Sequence, residues 1–146
     1  MKVFTSAFKN NEKIPAKFTC DGEDINPEIF IEDVSKEARS LVLIVDDPDS
    51  PSGNWSHCVI WNIDPKISLI KQGELPAGSN SGVNDFGKRG YGGPCPSRGE
   101  HRYFFKIFAL SEKLFIPDGS TKNDVESAMK DLILEKSEFV GLYSRL

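Results

Sequence analysis

The stretch Leu41-Val42-Leu43-Ile44-Val45-Asp46-Asp47-Pro48-Asp49-Ser50-Pro51-Ser52-Gly53-Asn54-Trp55-Ser56-His57-Cys58-Val59-Ile60-Trp61-Asn62-Ile63 reads as two apolar strands joined by a turn. β-Branched and aromatic residues crowd both ends, while Pro, Asp, Ser and Gly fill the middle. Successive side chains alternate between the faces of a strand. Leu41, Leu43, Val45 and Asp47 therefore share one face of the first strand, and His57, Val59, Trp61 and Ile63 one face of the second. If the two strands are antiparallel neighbours, Asp47 and His57 meet at the same sheet edge. Asp47 also has a purely local use, as a cap of the turn that follows it.

The same rule applies further along the chain. In His101-Arg102-Tyr103-Phe104-Phe105-Lys106-Ile107-Phe108-Ala109-Leu110 the set His101, Tyr103, Phe105, Ile107 and Ala109 shares the more apolar face, and Arg102 and Lys106 lie on the other. His57 and His101 are the only histidines in the chain, and each opens a strongly apolar strand. A histidine in that position is more often a structural hydrogen-bonder than a ligand-binding group. Together with Asp47, however, the two form a candidate constellation of one carboxylate and two imidazoles. Imidazole N–H groups donate to anion oxygens, and a neighbouring carboxylate fixes the tautomer. Such a set suits a phosphate or carboxylate group entering a mostly apolar pocket.

His101 is delivered by Gln72–Gly99, which holds eight of the twelve glycines together with Pro76, Pro94 and Pro96. A segment of that length is either functional or disordered. Its Gly92-Gly93-Pro94-Cys95-Pro96 run suits a sharply shaped wall.

Further candidate strands are Lys2–Phe8, Glu28–Glu32, Ile67–Lys71 and Glu138–Tyr143, so short strands with turn signals between them cover most of the chain. That pattern predicts a mainly all-β fold, an antiparallel sandwich in one domain spanning residues 1–146. One helix interrupts it. Thr121 and Asp124 form a capping box, and Val125, Ala128, Met129, Leu132 and Ile133 follow at helical spacing as one packing stripe.

Composition excludes several classes. A net charge of −4 gives no electrostatic footprint for nucleic acid. No apolar run reaches the ~20 residues a membrane-spanning helix needs, and the first ten residues do not resemble a signal peptide. The expectation is a cytoplasmic protein without stable membrane insertion. Three widely spaced cysteines, Cys20, Cys58 and Cys95, argue against both a disulfide framework and a structural zinc site.

Asp47-Pro48-Asp49-Ser50-Pro51 followed by Trp55-Ser56-His57 resembles the first signature of the phosphatidylethanolamine-binding protein family. Gly93-Pro94-Cys95-Pro96 followed by Gly99-Glu100-His101-Arg102-Tyr103 resembles the second. The intervening Asn84-Asp85-Phe86-Gly87 and Gly90–Pro96 are similar to the prokaryotic, Raf-kinase-inhibitor-like branch, although Ser97 stands where that branch usually has a second proline. The resemblance implies two antiparallel sheets in Greek-key order with few peripheral helices. It implies a pocket for small anions or phospholipid head groups formed by Asp47, Pro51, Trp55, His57, Pro94, His101 and Tyr103, with Tyr143 as an unassigned further candidate. It also implies, at family level, inhibition of a protein kinase or serine protease, and a homodimer as one form of assembly.

The resulting expectation is a binding protein without cofactor or turnover. The competing reading is an enzyme. In it Asp47, His57 and His101 form a two-histidine, one-carboxylate metal triad, or Cys95 or Ser52 acts as a nucleophile beside a histidine. No Gly-x-Ser-x-Gly elbow is present to support the latter.

Overall fold

The computed structural model describes residues 1–145. Its centre is β4 (Ser40–Asp47), every residue of which is buried. That follows from its composition, because a continuous run of Leu, Val and Ile suits a strand covered on both faces. β5 (Trp55–Ile63) pairs antiparallel on one side of β4 and β8 (Glu100–Leu110) on the other. The long β9 (Ile133–Ser144) continues the sheet beyond β8. Two short strands complete it, β2 (Glu12–Lys13) beside β9 and β7 (Asn80–Ser81) beside β5, in the order β2-β9-β8-β4-β5-β7. A three-stranded sheet, β1-β3-β6, is built from β1 (Lys2–Phe4), β3 (Ile29–Glu32) and β6 (Leu69–Ile70). The pairings are antiparallel with one exception: β2 runs parallel to β9.

The large sheet therefore has two cores. Leu41, Leu43, Val45, Ile60, Tyr103, Phe105 and Ile107 pack with Val3, Ile29, Ile31 and Ile70 of the small sheet. Val42, Ile44, Val59, Trp61, Phe108 and Leu110 pack against Val125 and Met129 of α1 (Lys122–Met129). Each fully buried side chain of this size contributes about 1.5–3 kcal/mol relative to its exposed state.

Two β-bulges alter the simple alternation of β5. Between Leu41/Leu43 the facing residues step from Ile63 to Ile60, and between Val45/Asp46 from Cys58 to Ser56. The first bulge is accommodated by Asn62 at φ +56°, a left-handed conformation that asparagine tolerates well. As a result His57, Val59, Trp61 and Ile63 do not share a face. Val59 and Trp61 look toward the helix, whereas Ile63 belongs to the core between the sheets.

α1 starts where the capping box puts it. Thr121 Oγ1 accepts from the Asp124 N–H, and Asp124 Oδ2 accepts from the Thr121 N–H. It ends one turn earlier than the apolar stripe implies. Ile133 instead begins β9 opposite Leu110, and the Ser111 N–H reaches the Leu132 carbonyl. The open hydrogen-bonding edge of β8 outweighs the helical period there. Of the other sequence-based strands, Lys2–Phe8 shortens to Lys2–Phe4 and Ile67–Lys71 to Leu69–Ile70, while Glu138–Tyr143 lengthens to Ile133–Ser144.

Cysteine spacing was a poor guide to pairing. Cys20 and Cys95, 75 residues apart, form a disulfide, and Cys58 is the buried free thiol. The fold brings the first two together by packing the segment after Ala16–Phe18 against the glycine-rich loop. No helix among the described residues is long and apolar enough to cross a membrane.

Candidate functional site

Asp47 ends β4, and Trp55 and His57 lie at the start of β5, beside the end of β4. The extra residue that the second bulge inserts is His57. A bulge re-aims a side chain, and here it brings the His57 ring edge-on to Tyr103, with centroids 5.2 Å apart and an interplanar angle of 87°. His101 enters from the start of β8, its ring stacked over Tyr103 at 6.3 Å. The phenol of Tyr103 thus lies between two imidazoles.

These groups line a cavity of about 170 Å³. Asp47, Pro51, Trp55, His57, His101 and Tyr103 all contribute to its wall. Pro94 does not. It is buried behind the wall, with its carbonyl accepting from the Cys20 N–H at 3.1 Å, and Cys95, Pro96 and Ser97 face the cavity instead. Tyr143 pairs with His101 across the strands, but its hydroxyl donates to Asp21 Oδ2 at 2.6 Å and it is not part of the lining.

Asp47 serves both uses its sequence allows. Oδ1 accepts from the Asp49 N–H at 2.8 Å and holds the turn, while Oδ2 accepts from His101 Nδ1 at 2.7 Å. The other nitrogen of His101, Nε2, lies 3.0 Å from the Arg98 carbonyl. Both ring nitrogens of His101 thus face oxygen atoms, and the Asp47–His101 contact is buried on both sides.

His57 differs. Nδ1 donates to the Gly92 carbonyl at 2.8 Å, which assigns the proton of the neutral ring to that nitrogen and leaves Nε2 without a partner among the described residues. Burial lowers the pKa of His57, with the Gly92 carbonyl and Asp47 pulling the other way. At neutral pH its free nitrogen is therefore an acceptor. Burial raises the Tyr103 hydroxyl well above the ordinary phenol, and Asp47 adds to the effect. Neither that hydroxyl nor the Trp55 Nε1–H has a hydrogen-bond partner among the described residues. Each such buried orphan costs about 1–3 kcal/mol.

The glycine-rich loop is ordered around the cavity by its own polar groups. Asn84 Oδ1 accepts from the Phe86 and Lys88 N–H groups, and Asn84 Nδ2 donates to the Gly90 carbonyl. The Ser56 N–H donates to Asp85 Oδ2 at 2.6 Å, which joins the loop to β5. Gly93 leaves no space for a side chain, since a Cβ there would collide with the Phe18 carbonyl and the Asp24 carboxylate.

Three features of the site escaped the sequence reading. Phe86 lies edge-on to both Trp55 and His57, at 5.6 and 5.2 Å, and closes one side of the cavity. Its signal was weak, a lone aromatic within a turn. Ser50 lines the rim next to Ser52, which the sequence offered only as an alternative nucleophile. Arg102, which alternation places only on the strand face opposite His101, grips Asp49 through Nε and Nη2, each at 2.9 Å, while its N–H donates to Oδ2 at 3.0 Å. That fork fixes the β4–β5 turn to the start of β8, and it holds the Asp49 pKa down to about 2. Asp46 points to the opposite face, toward Lys106 and Lys122.

Among the described residues no group of three or more His, Cys, Asp or Glu side chains is arranged to hold a metal ion. The Asp47–His101 contact consumes the atoms that a triad would need.

Comparison with known proteins agrees with the motifs. The family model described as phosphatidylethanolamine-binding protein matches residues 4–144. A UPF0098 protein of Aquifex aeolicus is 48% identical over 99% of this chain and 89% of its own, and one of Pyrococcus abyssi is 47% identical over 99% and 86%. The crystal structure of CT736 from Chlamydia trachomatis, titled a phosphatidylethanolamine-binding protein homolog, superposes with a TM-score of 0.94 at 36% identity, covering 99% of this chain and 97% of that one. That of Escherichia coli YbcL, titled a new member of the mammalian PEBP family, gives 0.93 at 25% identity, covering 99% and 98%. The chain belongs to the phosphatidylethanolamine-binding protein family.

Proposed function

We propose that the protein is a binding module for the phosphate or carboxylate end of a small molecule, and that it performs no turnover. The observation that carries this reading is the convergence of His57, with its free Nε2, and the Asp47–His101 bridge on one concave, otherwise largely apolar cavity. At about 170 Å³ the cavity is below the ~300 Å³ at which drug-sized ligand sites begin. It suits a head group rather than a whole lipid.

The lack of turnover is argued from the candidate reactive groups. Cys95 is tied up in a disulfide. Ser50 Oγ accepts from the Ser52 N–H, and neither serine is hydrogen-bonded to a histidine. Both nitrogens of His101 are already engaged. Inhibition of a protein kinase or protease, and a homodimer, remain expectations of the family alone. A cytoplasmic location fits the disulfide only where the local thiol pool leaves it oxidised, because persistent disulfides belong mainly to oxidising compartments.

Proton linkage provides the test. A bound anion favours the charged form of His57, so its pKa in the complex lies above that of the free protein. Alternatively, a monoprotonated phosphate donates to the neutral Nε2. In both cases affinity falls as pH rises. Calorimetric titration with inorganic phosphate, phosphoethanolamine and acetate from about pH 5.5 to about 8.5 brackets the ordinary imidazole value near 6.5. The expected result is binding that weakens across this range and drops roughly tenfold in His57→Ala, equivalent to about 1.4 kcal/mol. Absence of binding, or a flat pH profile, would overturn the reading.

A further inference from the structure

The wall of the cavity that carries Cys95, Pro96 and Ser97 is held in an unusual way. Upstream, Gly92 exchanges hydrogen bonds with His57, the Gly93 N–H donates to Asp24 Oδ1 at 2.8 Å, and the Tyr91 hydroxyl donates to the Phe18 carbonyl at 2.7 Å. Downstream, β8 begins at Glu100. Between them, no backbone–backbone hydrogen bond involves Cys95–Gly99 among the described residues. Pro96 has no N–H to offer. What fixes this stretch among the described residues is the disulfide to Cys20, with the Arg98 carbonyl on His101 and the Arg145 guanidinium beside Cys95 as further polar anchors.

Both cysteines are half-buried, so the bond is within reach of solvent. Cys95 also has a cation beside it, with Arg145 Nη1 3.6 Å from its sulfur. Arg145 is held there by Asp21, at 2.9 Å, and Asp21 in turn accepts from Tyr143. A neighbouring guanidinium stabilises a thiolate, and exchange is faster when the departing sulfur is the better-stabilised one.

We propose that Cys20–Cys95 is a thiol-exchange site, opened by a dithiol reductant, and that its opening unfastens the Cys95–Gly99 wall of the cavity. The thiolate of the reductant attacks Cys20 Sγ, forming a mixed disulfide and expelling Cys95 as a thiolate beside Arg145. The second thiol of the reductant then attacks the mixed disulfide, releasing Cys20 and leaving the reductant as its own disulfide. Two electrons pass from reductant to protein, and its two thiol protons end on Cys20 and Cys95. Where the cavity binds an anion as proposed above, on which this consequence rests, the reduced form holds that anion less tightly.

The intact chain treated with dithiothreitol under native conditions tests this. Alkylation followed by peptide mass analysis should find Cys20 and Cys95 labelled while Cys58, fully buried with its thiol pushed up to about 12, stays unlabelled. Amide hydrogen exchange should rise roughly tenfold or more at Cys20 and Gly22, whose N–H groups donate to the Pro94 and Thr19 carbonyls, and tryptic cleavage after Arg98 should accelerate by a similar factor, with β4 and the middle of β8 unchanged, as expected for local opening. The Cys20→Ser/Cys95→Ser pair should reproduce that pattern without reductant, and Arg145→Gln should slow the opening several-fold. Labelling of Cys58 together with the other two would show that reduction needs global unfolding and would overturn the proposal. Unchanged exchange at Cys20 and Gly22 together with unchanged cleavage after Arg98 would overturn it as well. Phosphate titration of the oxidised and reduced forms separates the two readings. Failure of both forms to bind defeats the anion-binding function, while labelling and hydrogen exchange still decide whether the disulfide is an exchange site.

Discussion

The Asp47 carboxylate stands 2.7 Å from Nδ1 of His101, and the same imidazole meets the Arg98 carbonyl through Nε2 at 3.0 Å. One buried bridge thereby joins the end of β4 to the start of β8 and to the last turn of the glycine-rich loop.

Asp47→Asn keeps the shape of the bridge but removes its negative charge. The His101 proton facing position 47 then loses its charged acceptor inside a site that is nearly closed to water. A hydrogen bond to a charged group contributes about 1.5–3 kcal/mol, and much of it is lost when the acceptor becomes a neutral amide. The expected outcome is a fall in unfolding free energy of about 2–3 kcal/mol by urea denaturation. A change below about 0.5 kcal/mol would place Asp47 among inert surface carboxylates.

Stability should also report on His57. Its folded-state pKa is lowered, chiefly by burial, from an ordinary value of 6.5. The unfolded chain therefore binds the proton first. Stability from this group is complete above about pH 6.5 and declines as pH falls below it, until the folded form is protonated too. Comparing the pH dependence of unfolding free energy for the native chain and His57→Gln isolates this contribution. The native chain should lose stability more steeply between about pH 6.5 and 5, by at most about 1.4 kcal/mol per pH unit. Parallel curves would contradict the burial argument.

How much of this was legible in the sequence depended on whether a residue's place is set by local pattern or by what the fold puts beside it. Alternation along β8 is regular, so His101, Tyr103, Phe105, Ile107 and Ala109 fall on the face the pattern assigns. Along β5 the same rule failed at Val59, Trp61 and Ile63, because bulges change the parity of a strand and leave no sharp mark in one sequence. His57 nevertheless joined Asp47 at the cavity, by way of a bulge that the alternation argument did not contain. The disulfide was invisible because the spacing of Cys20 and Cys95 carries no information about contacts made across two long loops. Pro94 illustrates the limit of motif transfer: its position in the chain matches a signature, yet the adjacent Cys95 and Pro96 face the cavity.

The Arg102–Asp49 fork makes a third prediction. Arg102 holds the Asp49 carboxyl down to about 2 through hydrogen bonds and its charge. A depressed carboxylate contributes stability that is present above its ordinary value and lost as pH falls toward the folded one. The pair is partly exposed, so its main expected effect is on the order of the turn rather than on global stability. In Arg102→Gln, NMR titration should find Asp49 back near the ordinary carboxylate value of about 3.9, and amide exchange of the Pro48–Asn54 turn should accelerate. An unmoved Asp49 titration would show that Arg102 is not what holds it.

The last prediction concerns the opposite face of the sheet. Asp46, 1% exposed, receives Lys106 Nζ at 3.0 Å, Lys122 Nζ at 3.4 Å and Asn54 Nδ2 at 3.1 Å. Lys122 also reaches the Asn54 carbonyl at 3.3 Å, so this cluster ties α1 to the turn that carries the cavity rim. Removing only the acid in Asp46→Leu strands the Lys122 ammonium among buried groups, a situation that costs about 3–5 kcal/mol. Removing both charges in Asp46→Leu/Lys122→Met takes away the stranded ion while keeping the volume filled. The double variant should therefore be more stable than Asp46→Leu alone by about 1–3 kcal/mol, a coupling within the range found for residues in direct contact. Simple additivity of the two single losses in urea unfolding would mean that Lys122 finds solvent without Asp46, and that the cluster does not couple the helix to the turn.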